Sequence, residues 1–113
     1  MLTEFAPSSL IERLREAIGR ENVVYDDEGV DLISRIETMG KPSVATLFGY
    51  CLGGGLELPL GCTFRLAAGE GAAIGLPEMD LGTTPAWGGS ARLAKCVGRT
   101  HALDMILRAK KIT

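Results

Sequence analysis

Two glycine-rich segments, each carrying one carboxylate, constrain this chain more than any other feature. The first is Gly49-Tyr50-Cys51-Leu52-Gly53-Gly54-Gly55-Leu56-Glu57-Leu58. The second runs Gly75-Leu76-Pro77-Glu78-Met79-Asp80-Leu81-Gly82-Thr83-Thr84-Pro85-Ala86-Trp87-Gly88-Gly89. Glycine permits positive φ and lets a ligand come close to the main chain. A pair of acids beside such a backbone can polarise a carbonyl and move protons.

The residues before the first segment, Ser43-Val44-Ala45-Thr46-Leu47-Phe48, are β-rich and mostly apolar, as in a buried strand. Leu56–Leu60 then begins a helix, with Pro59 expected in its first turn. At a new helix start the first N–H groups lack internal partners, and the dipole there favours negative charge. The amide of Gly54 could therefore donate to a carbonyl oxygen that becomes an oxyanion. Other glycine motifs fail: a P-loop needs Gly-Lys-Ser/Thr, whereas Gly55 is followed by Leu56 and Glu57, and a dinucleotide fingerprint needs glycine where Leu58 stands. Without a ligand, the segment reads as a tight turn packed on a strand, Glu57 as an acid complementing the helix dipole, and Glu78 as a solvated loop acid or a cap. If both acids line one apolar pocket, desolvation and mutual repulsion raise at least one pKa, and one can serve as acid while the other serves as base.

Along the rest of the chain, strands alternate with helices, which makes the class α/β. Ser9-Leu10-Ile11-Glu12 has the form of a capping box, and 9–18 reads as an amphipathic helix stopped by Gly19. Asn22–Tyr25 could be a short strand, Asp26-Asp27-Glu28-Gly29 a polar break and Val30–Thr38 a second helix that ends before Lys41-Pro42. Strands follow at Thr63–Ala68 and Ala72–Ile74, then a structured loop through Gly89. One helix opens at Gly88-Gly89-Ser90 and closes near Gly98. A last one, about 100–110, carries Ala102, Met105, Ile106 and Ala109 on one stripe, with Arg108, Lys110 and Lys111 at its C-terminal end. The natural seam lies near 26–29, dividing an N-terminal segment, 1–29, from a domain spanning 30–113.

The 113 residues suffice for one core, burying roughly 65% of the unfolded surface. No apolar run is long enough for a bilayer, and Met1–Gly19 has no signal-peptide core, so neither a membrane nor an export partner is expected. Cys51, Cys62 and Cys96 form no C-x-x-C pair and point to reduced thiols in the cytoplasm. Residues 1–40 hold nine acids and four bases, residues 41–113 five acids and eight bases. That basic excess is too weak and scattered for nucleic acid, and on charge alone an ordinary solvated surface is favoured. His101, the single histidine, lies on a helix without a metal-ligand partner, and no metal site emerges. Cys51 reads as a small buried side chain rather than a nucleophile, Asp80 as a solvated acid and Trp87 as either pocket cover or core.

From Val30 onward the chain resembles the crotonase family, which includes enoyl-CoA hydratases and isomerases. The resemblance rests on Lys41-Pro42, the whole run Gly49–Leu58, Leu76-Pro77-Glu78, Leu81-Gly82, Pro85-Ala86-Trp87-Gly88-Gly89, Arg92-Leu93, Val97-Gly98 and Ala102-Leu103 to Ile112. It implies a partial β-β-α spiral fold preceded by a short helical segment. It also implies an acyl-CoA thioester ligand, with coenzyme A entering as part of the substrate and no other cofactor. Gly54 aligns with an oxyanion-hole glycine, Glu57 with the glutamate that activates water for attack on Cβ and Glu78 with the one that protonates Cα. Leu52, Gly53, Pro85, Ala86 and Trp87 align with substrate-binding positions, Ala86 standing where many hydratases have glycine. The family's early strands, with a second oxyanion donor, and its C-terminal helices, which help assemble trimers, find no match here. Residues 1–29 instead resemble the start of flavin-linked oxidases at Leu14–Gly19 and Glu21-Asn22-Val23. The expectation is a hydratase-type segment, trimer-based by family resemblance, with weak activity on its own. The alternatives are a Δ-isomerase and a non-catalytic assembly module or remnant.

Overall fold

The computed structural model describes Glu16 and residues 28–113. The helix and strand expected at 9–18 and 22–25 lie outside the described residues, apart from Glu16, which is helical. Helix α1 spans Glu28–Thr38, so Glu28 and Gly29 join the helix instead of breaking the chain before Val30. Strands β1 (Val44–Leu47) and β2 (Tyr50–Leu52) follow, then helix α2 (Gly54–Leu60), strands β3 (Phe64–Ala67) and β4 (Ala73–Gly75), and a 3-10 turn at Glu78–Leu81. Helices α3 (Gly89–Val97) and α4 (Arg99–Leu107) complete the order.

Strand pairing defines the architecture. β1 pairs in parallel with β3, Val44 opposite Phe64, and β2 pairs in parallel with β4, Tyr50 opposite Ala73. Each strand therefore meets the one two places later, as a coil must when strand, corner, strand and helix make one turn. The register sets that turn at 20 residues on the β1 side and 23 on the β2 side. These are consecutive turns of a β-β-α spiral.

Three local features depart from the expectations. The first glycine segment contains a strand, β2, that alternation could not reveal because it is only three residues long. Helix α2 begins at Gly54, which places Pro59 in its last turn rather than its first. There the missing proline N–H forfeits only the bond to the Gly55 carbonyl, and at the helix end the Arg65 guanidinium donates to the carbonyls of Cys62 (2.6 Å) and Pro59 (3.2 Å). Helix α4 stops at Leu107, and Ala109 turns the chain with φ +48°. Arg108 is the C-cap and Lys110 lies two residues beyond it, so both cations stay beside the helix end. They pair with Asp104 at 3.1 and 2.9 Å, and the Lys110 hydrogen bond leads in holding its carboxyl below the usual range. The segment beyond runs back to the sheet, where Ile112 forms an antiparallel bridge with Ile74.

Leu47 and Cys51 from the strands, Leu56 and Leu60 from α2, Leu76, and Leu93, Ala102 and Met105 from α3 and α4 form one buried core. Helix α1 docks through Ile33, only 1% exposed. A Cβ at Gly61 would lie 2.5 Å from Ile33 Cγ2, so glycine sets how closely α1 can approach.

Candidate functional site

The spiral explains why Glu57 and Glu78 meet. Leu52 at the end of β2 is in register with Gly75 at the end of β4, and each acid leaves its strand through a glycine into a helical turn. Residues on successive turns of a coil stack, so the short segments leaving these two strand ends bring the acids near enough for the charge of Glu57 to act on Glu78. Gly53 sits at the junction with φ +56°, and its N–H donates to Gly75 O at 3.1 Å. A Cβ there would stand 3.3 Å from Glu78 Oε1, so the Glu78 carboxylate lies directly against the glycine turn.

The two carboxylates differ in their surroundings. Glu57, on α2, is 3% exposed, and its Oε1 accepts the backbone amides of Trp87 at 2.9 Å and Gly89 at 2.8 Å. Burial of such a carboxylate is costly unless donors satisfy it, and these two amides do so while fixing its orientation. Glu78, in the 3-10 turn, is half-buried, and its Oε2 is fully covered without a hydrogen-bond partner among the described residues. Desolvation leads in raising its pKa above the usual carboxylate value, and the charge of Glu57 adds to the rise against an opposing backbone hydrogen bond. The arrangement thus pairs a fixed carboxylate with one biased toward its protonated form, as one acid and one base require.

That bias has a measurable consequence. A carboxyl whose folded pKa is raised binds its proton more tightly in the native state, so its contribution to stability declines as pH rises above the ordinary value of 4.5. Glu78→Gln is expected to unfold at a higher temperature than the unsubstituted chain near pH 7, with the gap closing below about pH 4.5. Melting curves at both pH values check this; a lower midpoint at pH 7 contradicts it.

Gly54 opens α2, and its amide lies in the first turn, where helical N–H groups lack intrahelical acceptors. Trp87 is half-buried, its indole held between α1 and α2: a Cβ at Gly29 would lie 2.6 Å from indole Nε1, and one at Gly54 2.9 Å from Cζ3. Pro85 is buried, Ala86 exposed, and Leu52 and Gly53 half-buried beside the β4 end. Asp80 is exposed and 3.8 Å from Lys111, and His101 is on the surface. Cys51 is buried with its thiol donating to Phe48 O, while Cys62 and Cys96 are free thiols. Among the described residues no group of three His, Cys, Asp or Glu side chains could hold a metal, and no helix is long and apolar enough to cross a membrane.

Sequence reasoning missed four contributors. The amides of Trp87 and Gly89 clamp Glu57, Gly29 makes room for the indole, and Arg92 is buried behind the clamp. Gly88-Gly89 read as a helix opening, Trp87 as pocket cover or core and Arg92 as a family motif residue, but none of these signals pointed to the clamp.

Comparison with known proteins shows the family to which this fold is related. A family profile described as Enoyl-CoA hydratase/isomerase matches residues 8–113, a span that takes in most of the segment set apart at 1–29. A peroxisomal fatty acid beta-oxidation multifunctional protein of Oryza sativa subsp. japonica is 48% identical over 88 residues, 77% of this chain and 12% of its own length. A probable enoyl-CoA hydratase of Bacillus subtilis is 46% identical over 80 residues, 71% of this chain and 31% of that protein. Among solved structures, an enoyl-CoA hydratase of Geobacillus kaustophilus superposes with a TM-score of 0.76 at 36% identity, covering 91% of this chain and 39% of that one. One from Thermoplasma volcanium gives a TM-score of 0.72 at 34% identity, covering 99% and 40%. The chain therefore spans well under half the length of these relatives. With a profile match over most of its length and relatives of the same fold, the chain belongs to the enoyl-CoA hydratase/isomerase family.

Proposed function

We propose that this segment carries the hydration chemistry of a 2-enoyl-CoA thioester. The observation that carries the reading is the contrast between the two carboxylates: Glu57 held by two amides, Glu78 covered, unpartnered at Oε2 and biased toward protonation. The Gly54 amide donates to the thioester oxygen as negative charge develops there, a contribution of about 3–4 kcal/mol in comparable sites. Glu57 takes a proton from water, the resulting hydroxide bonds to Cβ, and the electron pair of the double bond shifts toward the carbonyl. Glu78 then delivers its proton to Cα. The product gains one water, and a proton passing from Glu57 to Glu78 resets the pair. The balance needs no redox group, so the coenzyme A carried by the substrate is the only cofactor chemistry proposed. Leu52, Gly53, Pro85, Ala86 and Trp87 border this site and are the proposed substrate contacts. A cytoplasmic, trimer-based homo-oligomer completes the reading. Support comes from the free thiols and from the exposed apolar side chains Phe48, Tyr50, Phe64 and Leu66, which offer assembly surface.

Two coupled acids favour hydration over double-bond migration, which needs a single proton carrier. The test incubates the chain with a short 2-enoyl-CoA and follows loss of the conjugated thioester absorbance together with product mass. A gain of one water supports hydration. A shifted double bond with unchanged mass, or turnover that survives substitution of both glutamates by glutamine, overturns it.

A further inference from the structure

The clamp on Glu57 is itself held from behind. Arg92, on α3, is 8% exposed, and each nitrogen of its guanidinium has a partner. Nε donates to Glu37 Oε2 at 3.1 Å, Nη2 to Ser34 Oγ at 3.0 Å and Nη1 to Trp87 O at 2.9 Å. Glu37 and Ser34 belong to α1, so one side chain joins that helix to the loop whose amides orient Glu57. The loop is shaped around it: a Cβ at Gly88 would lie 2.5 Å from Arg92 Nη1, and three hydrogen bonds prevent the guanidinium from moving aside. Trp87 is the junction. Its carbonyl accepts from Arg92, its amide donates to Glu57, and its indole packs over Gly54 and Gly29.

We propose that Arg92 is a positioning residue, which locks Trp87 so that the Trp87 and Gly89 amides converge on one oxygen of Glu57 while the indole steadies Gly54. A planar fork with donors in three directions can do this, whereas a lysine ammonium replaces it by a single point charge. The link between two buried groups runs through one residue, because Trp87 N–H and C=O serve Glu57 and Arg92 respectively. Loosening the carbonyl frees the residue to rotate and takes the amide with it. The catalytic consequence rests on the proposed role of Glu57; the geometric claim does not.

The experiment reads the two amides by nuclear magnetic resonance in the full chain, independent of turnover. Arg92→Lys is expected to move the Trp87 and Gly89 amide protons away from their carboxylate-bonded shifts. It should also speed their exchange by roughly tenfold, with the Phe64 and Ala68 amides of the β1–β3 ladder unchanged. Unchanged shifts at both positions, or equal acceleration at the ladder, overturn the proposal. If Arg92→Lys does not fold, Glu37→Ala and Ser34→Ala each remove one partner and are expected to accelerate the same two amides by about threefold. Protection equal to that of the unsubstituted chain in both variants overturns it as well. A failed hydration assay beside shifted amides would sink the proposed function and leave the positioning role standing.

Discussion

Glu57→Gln is expected to lower hydration turnover by about 10²–10⁴-fold, the usual worth of a positioned general base, with little change in fold. Glutamine preserves the shape and keeps a carbonyl oxygen able to accept from Trp87 and Gly89, so the clamp can persist. What disappears is the negative charge that takes the proton from water. The substitution therefore separates chemistry from architecture better than alanine, which would also leave two buried amide donors without an acceptor at a cost of about 1–3 kcal/mol each. The expected pattern is a large fall in kcat with KM within about threefold, because the lost interaction acts in the transition state. The check combines the thioester absorbance assay with a melting curve of the same preparation. An equal rise in KM with kcat preserved would show Glu57 to be a binding group and would remove the general-base role.

How far the site could be read from the sequence follows from the same geometry. Glycine segments flanked by a β-rich run and a helix opening gave the outline of each spiral turn, and Gly88-Gly89 and Gly98 marked the ends of α3. The separation of Glu57 and Glu78 matched the length of one turn, but that length is a property of strand register. Val44 opposite Phe64 and Tyr50 opposite Ala73 are long-range pairings that no local pattern encodes. The same reason hid β2, whose three residues become a strand only because β4 lies alongside. Pro59 was misplaced within α2 because local preference tolerates proline best in the first turn. In a helix of seven residues the proline costs one intrahelical bond, and Arg65 braces the chain just past it through the Pro59 and Cys62 carbonyls. The backbone clamp on Glu57 left no compositional trace, since any residue but proline offers an amide. Arg92 was visible only as a motif letter, and its purpose required Ser34 and Glu37 of α1 to come together with Trp87, from a stretch much later in the chain.

Gly89→Ala tests the clamp by steric means and is expected to damage both stability and activity. A Cβ at this position would stand 2.6 Å from Glu57 Oε1 and 2.7 Å from Glu57 Cγ, well inside contact distance. Gly89 is the first residue of α3, a helical position where alanine would ordinarily stabilise by about 0.5–1 kcal/mol relative to glycine. Local propensity and packing therefore predict opposite signs. Packing should dominate, because Glu57 is 3% exposed and has little room to retreat. Overpacking of this kind typically costs about 1–3 kcal/mol, which exceeds the helical gain. The carboxylate must leave at least one amide to relieve the clash, and a displacement near 1 Å commonly costs about 100-fold in rate. The expected result is a lower unfolding midpoint together with at least that loss of hydration activity. Gly98→Ala serves as the control, since no atom lies within 4 Å of a Cβ there and it is remote from the acids, although its φ of +82° adds strain. If both variants lose stability while only Gly89→Ala loses the clamp-dependent amide shifts of Trp87, contact with Glu57 is what position 89 protects. If Gly89→Ala is as stable and as active as the unsubstituted chain, Glu57 is not held where two amide hydrogen bonds place it, and the catalytic reading of that carboxylate fails with it.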